Sequence, residues 1–112
     1  LTSIDNSDFN SLGLIGKVED QVIRLAKLAK YADLDGLVCS AKELKVVRKE
    51  MGKNLILVTP GIRPTGGDIN DQKRIVTPAQ AINDGANFLV IGRPITDAVD
   101  PKLALNNIFL EM

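Results

Sequence analysis

An α/β fold built on a parallel sheet is what this sequence predicts, and three features carry the prediction. Short apolar runs alternate with amphipathic stretches, each run sits between a turn and a helix start, and no run shows the polar alternation of a strand with one face in water.

The elements follow in order. Leu1-Thr2-Ser3 reads as the end of a strand. Val18, Val22, Leu25 and Ala29, with Leu28 beside them, recur at three- and four-residue steps and predict a helix from Val18 to Tyr31. Asp33-Leu34-Asp35-Gly36 breaks it, and Leu37-Val38-Cys39 then has the composition of a strand buried on both faces. Ser40 and Glu43 have the spacing of a capping box, opening a helix with Leu44, Val47 and Met51 on one side and Gly52 at its end. Within Asn54 to Thr59, Leu55-Ile56-Leu57-Val58 repeats the buried-strand pattern. Thr77-Pro78-x-Gln80 supplies an N-cap, a first-turn proline and a capping-box partner, so a helix runs to about Gly85. Phe88-Leu89-Val90-Ile91 is the third buried strand. Asp100-Pro101 opens a last helix whose core-facing side is Leu105, Ile108, Phe109 and Met112.

Composition narrows the function classes. Fourteen basic residues balance fourteen acidic ones and are interspersed with them, which leaves no positive field for nucleic acid. No apolar run reaches the roughly 20 residues that span a bilayer, and no secretory signal opens the chain, so a cytoplasmic location is expected. Cys39 is the only cysteine and histidine is absent, which removes an internal disulfide and any Ser-His or Cys-His chemistry within these residues.

Parallel βα units of this kind belong to the (β/α)8 barrel, which needs eight strands and normally about 250 residues. A chain of 112 residues with four such units is therefore expected to be part of a longer fold. Left open, a half-barrel puts two sheet edges and an apolar face into water.

In such barrels the chemistry gathers on loops after the strands, with phosphate commonly on the last two. Ile91-Gly92-Arg93-Pro94-Ile95-Thr96 follows the third complete strand, and it pairs a glycine with an arginine whose rigid fork suits phosphate oxygens. Alone it is also compatible with a tight turn and a solvated arginine. The loop from Thr59 through Arg74 weighs against that bland reading: at about 18 residues before the next helix it far exceeds the usual βα connection. Its Gly66-Gly67 pair suits a hinged lid, while Arg63 and Gln72 offer a cation and an amide to one ligand.

Other candidates carry less. Asp68-x-Asn70-x-Gln72 resembles a calcium loop, but Ala79 stands where the bidentate glutamate belongs, so no metal is expected. Cys39 reads as a small core residue, and Asp5 and Asp8 as solvated or capping residues.

Together, Leu1-Thr2-Ser3, Asp35-Gly36-Leu37-Val38-Cys39-Ser40, Thr59-Pro60-Gly61-Ile62-Arg63-Pro64, Asp71-Gln72-Lys73-Arg74 and Ile91-Gly92-Arg93-Pro94-Ile95-Thr96 resemble the bacterial orotidine 5′-phosphate decarboxylases. The resemblance spans essentially the whole chain. It implies a TIM barrel of the ribulose-phosphate-binding type, with residues 1–112 forming the carboxyl-terminal half of a single domain, roughly the end of strand 5 to strand 8 with their helices. It also implies a homodimeric, cofactor-free carboxy-lyase that converts orotidine 5′-monophosphate to UMP and carbon dioxide. On that resemblance Thr2 and Ser3 bind substrate, Arg63 and Gln72 belong to the phosphate-gripping loop, and Gly92 and Arg93 to the fixed phosphate site. The family's catalytic Asp-x-Lys-x-x-Asp array has no counterpart here. No catalytic residue is therefore assigned to this chain, and alone it is expected to be inactive. Two other readings stand beside this one: a sugar-phosphate decarboxylase or synthase on the same barrel, and a non-catalytic half-barrel module.

Overall fold

A computed structural model of the chain describes residues 1–65 and 76–112. The elements run α1 (Asn6–Ser11), α2 (Val18–Tyr31), β1 (Gly36–Val38), α3 (Leu44–Met51), β2 (Ile56–Pro60), α4 (Pro78–Asn83), β3 (Phe88–Val90), α5 (Arg93–Thr96) and α6 (Pro101–Glu111). The three strands form one parallel sheet in the order β1-β2-β3, with Val38 beside Val58 and Val58 beside Phe88. The expected βα order is thus present.

The side chains divide by strand parity. Leu37, Cys39, Leu57, Thr59 and Leu89 point to the face carrying Ala26 of α2, Leu44, Val47 and Met51 of α3, and Ala81 of α4, and there the core forms. Val38, Ile56, Phe88 and Val90 share the other face and remain 68%, 39%, 59% and 51% exposed. The expectation of strands buried on both faces is corrected accordingly: the residues are apolar on both sides, but among the described residues helices cover only one. The same holds for α6. Ile108 is buried, whereas Leu105, Phe109 and Met112 are exposed because few of the described residues lie against them.

Local signals explain where elements begin and end. Leu1-Thr2-Ser3 is not a strand; it turns, with the Ile4 N–H donating to the Leu1 carbonyl (3.3 Å), because no neighbouring strand among the described residues pairs with it. Helix α1, not anticipated, opens on a capping box in which the Asp5 carboxylate accepts from the backbone of Ser7 and Asp8 and Asp8 accepts from Asp5. At α3 the expected box is shifted. The helix starts at Leu44, Ser40 Oγ accepts from Lys42 N–H (3.3 Å), and the Glu43 N–H donates to the Ser40 carbonyl (3.1 Å). At α4 only half the expected box forms: Thr77 Oγ1 accepts from Gln80 N–H, but the Gln80 amide donates to Asp84 instead (2.7 Å).

The amino-terminal ends of the strands are tied by one side chain. Arg48 donates to the carbonyls of Leu55 (2.6 Å), Gly52 (3.2 Å) and Gly85 (2.6 and 2.8 Å) and to Asn87 Oδ1, which also accepts from the Leu57 N–H. Gly85 must be glycine on two counts: its φ is 108°, and a Cβ there would lie 2.6 Å from Arg48 Cγ. No helix among the described residues is long and apolar enough to cross a membrane.

Candidate functional site

At the opposite, carboxyl-terminal ends of the strands lie two cavities joined by one loop. The first, about 310 Å³ and mostly polar, is lined by Thr2, Ser3, Ser40, Lys42 and Glu43 and closed by Pro60, Gly61 and Val76. The second, about 390 Å³, is lined by Arg63, Pro64, Arg93, Pro94 and Asp97. Both fall in the size range of small-molecule sites. Residues 60–64, leaving β2, form a wall of each.

That loop is held from below and behind. Gly61 turns it with φ 77°, Ile62 is buried in the core, and the Arg63 N–H donates to the Val76 carbonyl (3.3 Å). The Arg63 side chain therefore projects from an anchored backbone. Arg93 leads the short α5, whose first turn closes on the Gly92 carbonyl through the N–H groups of Ile95 (2.8 Å) and Thr96 (3.1 Å). Both arginines are exposed. Among the described residues neither guanidinium makes a hydrogen bond or an ion pair. Two cations lining one cavity, without a partner among the described residues, suit a dianion such as a phosphate ester.

The sequence-derived residues therefore fall into two groups. Arg63 and Arg93 converge on one cavity, and Thr2 and Ser3 line the other. Gly92 caps α5 beside the arginine cavity without lining it, and a Cβ there would meet no atom within 4 Å, so the chain itself does not demand glycine. Gln72, the Gly66-Gly67 pair and most of the calcium-like run lie outside the described residues. Among the lining residues not assigned from the sequence, three carry charge in the cavity walls: Lys42 and Glu43 in the polar cavity and Asp97 in the other. The signal for Lys42 was present, since Ser40-Ala41-Lys42 leaves β1 much as Gly92-Arg93 leaves β3.

Two buried groups bear on the chemistry. Burial pushes the Cys39 thiol up, reinforced by the nearby Glu43 charge, so Cys39 is a poor nucleophile and belongs to the core. Its cross-strand neighbour Thr59 is fully buried, with a hydroxyl that has no hydrogen-bond partner among the described residues. Burial likewise raises Glu43 above the ordinary carboxylate range, against the lowering effect of its bonds to Ser40 and the charge of Lys42.

Known proteins resemble the chain along nearly its whole length. The family model described as orotidine 5′-phosphate decarboxylase / HUMPS family matches residues 1–108. Orotidine 5′-phosphate decarboxylases of Vibrio cholerae and Sphingopyxis alaskensis are 51% and 56% identical over 108 residues, covering 96% of this chain and 47% and 48% of theirs. The chain thus spans about half the length of the curated relatives it matches. Among solved structures, orotidine 5′-phosphate decarboxylase from Lactobacillus acidophilus superposes with a TM-score of 0.78 at 38% identity, covering 99% of this chain and 45% of that one. An uncharacterised conserved protein from Geobacillus kaustophilus gives 0.75 at 31% identity, with the same coverage. The chain, with its parallel sheet and strand-end cavities, belongs to the orotidine 5′-phosphate decarboxylase / HUMPS family of TIM-barrel proteins.

Proposed function

We propose that this chain is the substrate-gripping, carboxyl-terminal half of an orotidine 5′-phosphate decarboxylase, with β1, β2 and β3 as barrel strands 6, 7 and 8. The complete, homodimeric, cytoplasmic enzyme converts orotidine 5′-monophosphate to UMP and carbon dioxide without a cofactor. The observation that carries the reading is the convergence of Arg63 and Arg93, from adjacent βα loops, on one cavity beside a second, polar cavity lined by Thr2 and Ser3. A nucleotide fits that pair, phosphate at the arginines and base toward Thr2 and Ser3, with Gln72 as the link between them.

The division of labour follows from where the groups lie. The reacting carbon of the pyrimidine is remote from the phosphate, so the arginines act on the barrier only by using phosphate binding to organise the reacting end. The proton that replaces carbon dioxide comes from the half carrying Asp-x-Lys-x-x-Asp. That half also covers Val38, Ile56, Phe88 and Val90, whose exposure is otherwise unfavourable.

Complementation tests this directly. The chain is combined with the amino-terminal half of the Vibrio cholerae relative, and UMP formation from orotidine 5′-monophosphate is followed. The chain alone should give none and the complex should turn over. A folded complex without UMP, or turnover by the chain alone, contradicts the proposal.

A further inference from the structure

One residue of the arginine cavity has no place in a simple phosphate grip. Asp97 lines the same 390 Å³ space as Arg63 and Arg93, one helical turn after Arg93, with its N–H bonded to the Arg93 carbonyl (3.0 Å). Its carboxylate accepts from the Thr96 hydroxyl (3.2 Å), and it forms no ion pair with either arginine among the described residues. A carboxylate on a residue lining the space reserved for an anion opposes binding there, and the side-chain charge around the cavity falls from two positive to one.

The chemistry of the proposed reaction gives that opposition a use. The phosphate is unchanged between substrate and product, so grip on it beyond what organises the reacting end holds both equally and delays release without lowering the barrier. We infer that Asp97 is a built-in counter-charge that sets phosphate affinity at this site, weakening the hold of Arg63 and Arg93 enough for the nucleotide product to leave. This rests on the phosphate reading of the arginine cavity.

The test uses the full chain and inorganic phosphate, with affinity read from the NMR shift of the Arg93 backbone amide. Arg93→Ala should weaken or abolish the saturable shift. Asp97→Asn should bind phosphate roughly threefold or more tightly at low ionic strength, and the gain should shrink as salt is added. Asp97→Glu, which keeps the charge, should show no gain. Unchanged or weaker binding by Asp97→Asn, with Arg93→Ala still damaging, overturns the counter-charge and makes Asp97 a residue that positions the arginines. No saturable shift in the parent chain, or one that Arg93→Ala leaves intact, overturns the phosphate reading and this inference with it.

Discussion

Three arginines lie at the two ends of one small sheet, and they are used in opposite ways. At the amino-terminal end Arg48 is saturated by carbonyls of Gly52, Leu55 and Gly85 and by Asn87. At the carboxyl-terminal end Arg63 and Arg93 face a cavity, and among the described residues their guanidinium groups bond to nothing. Arginine content therefore says little by itself. What distinguishes structure from binding is whether the fold supplies the acceptors, which matches the general division of barrels into a stabilising end and a functional end.

The sharpest way to break the comparison is at Arg48. Arg48→Ala strips the part-buried carbonyls of Leu55 and Gly85 of their guanidinium donors and removes one of the ties between the starts of β2 and β3, so a stability loss of about 3 kcal/mol is expected in urea unfolding of the chain. Arg63→Ala and Arg93→Ala should stay within about 0.5 kcal/mol of the parent in the same assay, since neither removes a side-chain bond among the described residues. Comparable losses at both ends would erase the distinction.

Much of this was legible in the sequence, for physical reasons that differ by region. Helix α2 could be read as Val18 to Tyr31 because an uninterrupted helical period ends at a turn where Asp33 takes a positive φ of 55°. The caps at Thr77 and Asp100 were equally readable, since a side-chain oxygen and a following proline act within a few residues. That the strands are covered on one face only among the described residues was not, because composition records what a face needs and not what covers it. Arg93 and Arg63 stood out in their loops, whereas Lys42, Glu43 and Asp97 join the site only through the way βα loops come together in space. Helix α1 was within reach: Asp5 and Asp8 have the spacing of the box they form.

A smaller effect sharpens the picture at Glu43, which walls the polar cavity. Because burial raises it, the fold favours its neutral form, and that contribution is present in acid and lost as pH rises through the raised value. Glu43→Gln stays neutral and keeps an acceptor for Ser40, so its stability relative to the parent should improve from about pH 4 to about pH 8. The gain should be smaller than the Arg48 loss. A difference flat with pH would mean that Glu43 titrates as it does in water.

The most direct test of the central claim, that the carboxyl-terminal arginines grip the phosphate of a nucleotide, compares two substrates in the complemented enzyme. Arg93→Ala should lower kcat/KM for orotidine 5′-monophosphate by roughly 10- to 100-fold, as expected for a lost charge-assisted contact, and Arg93→Lys by less because it keeps the charge without the two-pronged geometry. For orotidine, which lacks the phosphate, the same substitutions should change kcat/KM little. An equal loss on both substrates would contradict the account and place Arg93 outside the phosphate site.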